Sequence, residues 1–219
     1  MKVLAIDTAG ADCSAAVFDA SRTTVLAQET DLIGKGHAER LMAMIEKTMA
    51  AADLKLDDLD RIAVTVGPGS FTGIRVGVAA ARGLALALSI PCVGVTTLET
   101  MAASHLQRHP GQAVVAAMDA KREQIYAQAF SDAGEALSAP SILSLDELRQ
   151  LLADHEAQVT GSAAALLRDA SASSEPDRFE IATVARIGAM ADQRYAAPRP
   201  LYLRGPDAKP QDGFALARA

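Results

Sequence analysis

An α/β fold of mixed sheets flanked by helices, arranged as two lobes with the second reduced, is predicted by three features of the sequence. Three short apolar runs joined by turns open the chain, and helix, strand, helix and strand patterns follow, an order that requires a mixed sheet with helices packed on it. The first loop does not lead into a helix, which excludes a doubly wound dinucleotide fold. The pattern of helix and strand hairpin then restarts after Thr97, and few strong strands follow Ser131. These breaks divide the chain into lobes of residues 1–100 and 101–219.

The elements follow in order. "VLAI" (3–6), "CSAAVFD" (13–19) and "TVLAQE" (24–29) are strands separated by turns at hairpin spacing. Leu41, Ile45, Thr48 and Ala52 recur at helical spacing, flanked by Met44 and Met49, and predict a helix over 38–52. "IAVTV" (62–66) is a strand, residues 73–88 a helix, and "CVGV" (92–95) a strand. Thr97 is placed to cap a helix over 98–106. "AVVAAMDA" (113–120) and "QIYAQAFS" (124–131) form a hairpin. "SLDELRQLLADH" (144–155) carries Ser144 and Glu147 at capping-box spacing. "AQVTGS" is a short strand, "SAAALLRDA" a short helix, "ASSEP" a surface linker, 181–193 a helix, and "RPLYLRGP" an extended exit.

Half of the 219 residues are apolar, enough for a substantial core, and only 4% are aromatic, so that core is aliphatic and alanine-rich. Acidic residues outnumber basic ones by 27 to 21, which argues against a dominant nucleic-acid footprint. The opening apolar run of "MKVLAIDTAG" is too short for a signal-peptide core. No run approaches eighteen apolar residues, so no membrane span is expected, and a cytoplasmic location is the expectation. Cys13 and Cys92 lie in apolar strands without a CxxC pair and read as buried, reduced thiols.

The stretch "TVGPGSFTGIR" (65–75) concentrates glycine, proline and hydroxyl residues. Gly67, Pro68 and Gly69 turn the chain, and Ser70 or Thr72 is placed to cap the helix that follows Phe71. Free N–H groups at a helix start attract anions. The stretch matches neither GxxxxGK[ST] nor GxGxxG, and Arg75 is its only cation. Gly73 and Gly77 lie one helical turn apart, which also fits the close approach of another backbone. Anion binding, close packing and a plain turn all remain open. Asp7, with Thr8 beside it, ends the first strand, and Asp119 ends a later one. Each is open to a reading as a crevice carboxylate or as a turn residue bonded to local N–H groups.

His37 has leucine four residues on, at Leu41, so a zinc pair at that spacing is missing. His105 and His109 have the spacing but no third ligand nearby, and they read as polar residues at a helix end. No metal and no cofactor is expected. No GxSxG surrounds any serine. Arg199, Arg204 and Lys209 around Tyr202 suit a phosphate backbone or a protein edge, or a solvated tail pinned by Leu201 and Leu203.

"LAIDTAGADCSAAV", His37 ahead of the first long helix, "VTVGPGSFTGIRVGVAAARGLALAL", "GVTTLE", "AAMDAKREQIYAQAF" and "PLYLR" together resemble the TsaB (YeaZ) family across nearly the whole chain. The resemblance implies the two-lobed, ribonuclease H-like fold of the actin, sugar kinase and Hsp70 superfamily. It also implies a non-catalytic scaffold in the bacterial machinery that installs threonylcarbamoyl on the adenosine next to the anticodon of ANN-decoding tRNAs. The implied partners are the catalytic paralogue TsaD, the P-loop ATPase TsaE in a ternary complex, tRNA reached through that complex, and a second copy of the chain when alone. The missing HxxxH and the crevice without a lysine agree with a fold whose site is unfurnished, Asp7, Thr8 and Asp119 being its remnants. The rival readings are a metallo-hydrolase or peptidase, against which the missing HxxxH speaks, and a small-molecule kinase. "VTGSAAALL" (159–167) resembles only a degraded version of a kinase's second phosphate loop.

The partner surface is expected on the helices at 38–52 and 73–88, meeting the paralogue as a four-helix arrangement. Leu41, Met42, Ile45 and Met49 supply the first helix; Gly73, Val76, Gly77, Ala80, Ala81 and Leu84 supply the second. These apolar and small positions cover more than one stripe of each helix, so they are not all expected to face one sheet.

Overall fold

The computed structural model describes residues 1–171, 175–191 and 197–204. Its first sheet contains β1 (Lys2–Asp7), β2 (Asp12–Asp19), β3 (Thr24–Leu32), β4 (Arg61–Thr65) and β5 (Cys92–Val95). Their order is β3-β2-β1-β4-β5. β1 to β3 form an antiparallel meander, while β4 and β5 add in parallel to β1.

Alternation along the strands divides this sheet between two cores. Leu4, Ile6, Ala15, Val17, Ile62 and Val64 face α1 (His37–Ala51) and α2 (Phe71–Leu88). Val3, Ala5, Ala16, Phe18 and Ala63 face α5 (Ile181–Met190). Alanine dominates the second face at the centre, so α5 sits very close. A Cβ at Gly188 would overlap that of Ala63.

The second sheet contains β6 (Val114–Asp119), β7 (Ile125–Phe130), β8 (Ser141–Leu143) and β9 (Gln158–Thr160), in the order β8-β7-β6-β9. One face packs Val114, Ala116 and Phe130 on α3 (Thr97–Arg108) through Leu98, Met101 and Ala102. The other packs Val115, Ala117 and Ile125 on α4 (Leu145–Asp154) through Leu148. The molecule is thus a two-lobed α/β fold with mixed sheets flanked by helices.

Several local expectations change. Thr96, not Thr97, caps α3, because its side chain accepts from Glu99 N–H while Glu99 reaches back to Thr96. Ser144 and Glu147 form the capping box read from the sequence. The helix expected after β9 is a single 3-10 turn, Ser162–Ala165, and β8 was not anticipated. Of the expected linker, residues 172–174 lie outside the described residues, as do 192–193 of the last helix and the exit from Gly205 onward, including Lys209. The expected boundary at residue 100 falls inside α3, which links β5 to β6, and α5 returns from the later part of the chain to cover the first sheet. That helix is apolar on a broad face, and the alanine-lined side of β1, β2 and β4 is where it is buried. α2 is long and apolar enough to cross a membrane by length and composition. Here it is a core helix, with Ile74, Val78, Ala81 and Ala85 buried on the sheet and Arg75 and Arg82 on its exposed side.

One charged residue holds α5 in place. Arg61, 3% exposed at the start of β4, donates through Nη1 to the carbonyls of Gly188, Ala189 and Ala191 at 2.7, 3.1 and 2.8 Å. The last carbonyls of a helix lack intrahelical donors and carry partial negative charge, so a buried guanidinium satisfies them. Arg61→Met is expected to lower unfolding stability by about 1–3 kcal/mol, the cost of leaving buried acceptors unpaired. Denaturant melts check this, and hydrogen exchange should place the largest loss of protection in α5.

Candidate functional site

The glycine stretch is a docking surface for the chain's own first turn. After β4, the chain passes a cis Gly67–Pro68 bond and enters α2, capped by Ser70, whose hydroxyl accepts from Gly73 N–H at 3.2 Å. Ser70 N–H donates to Ala9 O at 2.7 Å, and Thr8 Oγ1 donates to Gly73 O at 2.7 Å. A Cβ at Gly69 would overlap Ala9 O; at Gly73 it would overlap Thr8 O, and at Gly77 the Thr8 hydroxyl. The close approach expected of these glycines is therefore intramolecular, and Thr8 fills the space beside them.

Arg75, the stretch's only cation, is engaged as well. Its guanidinium lies 3.7 Å from the Phe71 ring centroid, and its Nε donates to Tyr202 Oη at 2.7 Å. Leu201 N–H donates to Val66 O at 2.7 Å, so the C-terminal segment is pinned at the end of β4. Arg204 continues it onto the second lobe, donating from Nε to Gln124 Oε1 at 2.9 Å and from Nη2 to Ala120 O at 3.0 Å.

Asp7 is 4% exposed. Its Oδ1 accepts from Ala9 N–H at 2.9 Å and from the Thr65 hydroxyl. Burial raises its pKa above the ordinary carboxylate value, outweighing these hydrogen bonds and the nearby His37. Asp119 accepts from Lys121 N–H at 2.8 Å and from Lys121 Nζ at 2.7 Å, and its own N–H donates to Ser162 Oγ at 2.8 Å. Both carboxylates accept from N–H groups of their own turns, and Asp7 also holds Thr65 across on β4. His37 is buried, and its Nε2 donates to Asp12 O at 3.1 Å, clasping the start of α1 to β2. Among the described residues no group of three or more His, Cys, Asp or Glu side chains is placed to hold a metal. Cys13 and Cys92 are free thiols, each pushed up to about 11, chiefly by burial.

The ten residues expected at a partner surface separate into two groups. Leu41, Ile45, Met49, Gly73, Gly77 and Ala81 are buried within this chain. α1 needs its whole inward stripe to cover the sheet, and the glycines of α2 meet the Thr8 turn. Met42 is 51% exposed, and Val76, Ala80 and Leu84 are half-buried on the outer side of α2. Met42, Ile45 and Met49 border one open groove of about 540 Å³ that Leu54 and Leu56 complete. Leu86, 82% exposed on α2, lies outside the small-residue stripe and was not among the ten.

The geometry defines a class: a two-lobed α/β protein with mixed sheets flanked by helices, whose first strand turn is sealed by its own helix. A family profile described as "TsaD: tRNA N6-adenosine threonylcarbamoyltransferase" matches residues 24–195. The chain is similar to the tRNA threonylcarbamoyladenosine biosynthesis protein TsaB of Escherichia coli, with 38% identity over 126 residues, 58% of this chain and 53% of that protein. It is also similar to an uncharacterized protein of Mycobacterium tuberculosis, 34% identical over 209 residues, 95% of this chain and 94% of that one. An uncharacterized protein with similarity to peptidase YeaZ from Pseudomonas aeruginosa shares the fold, with TM-score 0.76, 23% identity and coverage of 93% and 99%. The chain belongs to this family as a TsaB/YeaZ homologue. It spans about half the length of the first curated relatives it matches.

Two outcomes follow from the packing. Gly77→Ala is expected to destabilise by about 1–3 kcal/mol through overlap with Thr8. Gly83→Ala, on the same helix with nothing within 4 Å of its Cβ, is expected to stabilise by about 0.5–1 kcal/mol. Paired urea melts check both signs.

The raised pKa of Asp7 means that its contribution favours the folded state most below the ordinary carboxylate pKa and is lost as pH rises through the folded-state value. Asp7→Asn keeps the acceptor for Thr65 and Ala9 without the charge. The variant should gain stability relative to the parent between about pH 4 and neutrality. Melts across that range check this, and a parent that instead gains on the variant would show a lowered Asp7 pKa.

Proposed function

We propose that the chain is a non-catalytic subunit supporting threonylcarbamoyladenosine formation in tRNA, and that it acts by binding the catalytic paralogue TsaD through the outer side of α1 and α2. The observation that carries this reading is the apolar exposure left on those helices: Met42 is 51% and Leu86 82% exposed, and Val76, Ala80 and Leu84 are only half-buried at the edge of the core. Such residues favour burial against a partner, and an interface on the order of 1,600 Å² suffices for stable association. The relatives' names supply the pathway, and the family profile supplies the kind of partner. The commitment of Thr8, Arg75, Asp7 and Asp119 to contacts within the chain supports a role without chemistry of its own.

The finer assignments belong to the same reading. TsaE joins the pair, tRNA is reached through the complex, a homodimer forms on the same surface when the partner is absent, and the site of action is the cytoplasm. The residue set at that surface is narrowed to Met42, Val76, Ala80 and Leu84, with Leu86 added. A large charged residue at Gly77 is not a clean probe of it, because it would strike Thr8 first.

Met42→Glu with Leu86→Glu leaves the sheet-facing side chains in place. Circular dichroism should show an unchanged fold, while light scattering should show loss of both the homodimer and the assembly with the paralogue. Each truncated anchor is expected to weaken association by about 2 kcal/mol, or roughly 30-fold. In cells depleted of the native subunit, the unaltered chain should restore modified adenosine in tRNA and the double variant should not. Unchanged masses place the interface elsewhere; failure of the unaltered chain to restore the modification removes the functional reading.

A further inference from the structure

Three consecutive residues ahead of α5 touch both lobes. Asp177 reaches the second: its carboxylate accepts from Ser162 N–H and from Ser162 Oγ, each at 2.6 Å. Ser162 Oγ in turn accepts from Asp119 N–H at 2.8 Å, so the end of β6 joins the same network. Arg178 reaches the first: its Nε donates to Asp12 Oδ2 at 2.8 Å. Asp12 begins β2, and its carbonyl accepts from His37 at the first residue of α1. Phe179 packs against both the core beneath α5 and the core beneath α3. The Asp177 carbonyl also lies against Gly10, where a Cβ would stand 3.6 Å away.

We propose that residues 177–179 form a built-in latch that fixes the angle between the two lobes and, through Asp12 and His37, the seat of α1. Two lobes joined by a few chain crossings move relative to one another by default unless their interface is large. Here polar contacts on either side of an apolar wedge oppose that motion. Charge-assisted hydrogen bonds are the stronger kind, and the Asp177 carboxylate takes one backbone and one hydroxyl donor at once. Gly161 makes the second-lobe foot possible. Its φ of 105° turns Ser162 N–H toward Asp177, and a Cβ there would overlap Met101 and Ala117. Asp177 also lies within reach of the charges of Asp119 and Lys121, at the end of β6. A cavity of about 370 Å³ beneath the strap, bordered by Ser162, Arg108, Arg168 and Phe179, leaves room for movement when the strap lets go. The segment 201–204 crosses in parallel, from Val66 and Arg75 to Ala120 and Gln124. Releasing 177–179 therefore loosens the lobes without parting them.

Hydrogen exchange on the full chain tests the latch. Asp177→Ala with Arg178→Ala should raise exchange about 10–100-fold at residues 10–14, at 160–166 and in the first turn of α1, with β1 and β4 unchanged. Small-angle scattering should show a larger radius of gyration. Arg178→Gln alone, at an exposed side chain, should raise exchange only at 10–14 and the start of α1. Unchanged exchange at both feet in the double variant overturns the proposal. So does a uniform rise through every strand with a matching fall in melting temperature, which would make the segment ordinary packing. If the double variant fails to fold, the site-restricted response of Arg178→Gln decides, and its absence overturns the proposal.

Discussion

The approach of α2 to the turn between β1 and β2 is the contact on which the rest of this structure depends. Three glycines spaced along the entrance and first turns of that helix bring its backbone against Thr8 and Ala9, closer than any Cβ permits. The two hydrogen bonds across the contact, Ser70 to Ala9 and Thr8 to Gly73, then fix its register. Once α2 is seated, Ile74, Val78, Ala81 and Ala85 complete one core of the first sheet, and α1 packs beside them. The same seating fills the space beside the first turn with the backbone of α2 and the Thr8 side chain.

The opposite face of that sheet follows a second constraint. Ala5, Ala16 and Ala63 present little side chain, so a helix there must come close, and α5 does so through Gly188. Arg61 holds its C-terminal carbonyls, and the 177–179 segment ties its N-terminal approach to both lobes. The helix is distant in sequence from every strand it covers. Both of its ends are therefore fixed by polar contacts, while its middle is fixed by shape.

On the proposed function, partner binding and core formation draw on the same helices. The inward stripe of α1 is used up by Leu41, Met44, Ile45, Thr48 and Met49. What is left for a partner is narrow: a methionine, half-buried aliphatic side chains and an exposed leucine. A surface of flexible and small apolar groups adapts to more than one matching helix pair, in keeping with the two assemblies proposed above.

Strand and helix identities were legible in the sequence because they rest on short-range periodicity and caps: the hairpins of β1 to β3, the helices at α1 and α2, and the Ser144–Glu147 box all lie within a few residues of their signals. The glycine spacing in α2 announced close contact by the same local logic. It did not say with what, since Thr8 is 65 residues away and only the β1–β4 pairing brings it there. Arg61, Asp177 and Arg178 carry no local signal, because a charged side chain reveals its partners only when the groups it bonds arrive from elsewhere in the chain. The sequence by itself determined most of the strands and helices, though not β8 or the single 3-10 turn at Ser162–Ala165. The tertiary structure decided which glycines face inward, which apolar residues stay exposed and which charges meet partners far along the chain, since each depends on contacts made across long separations.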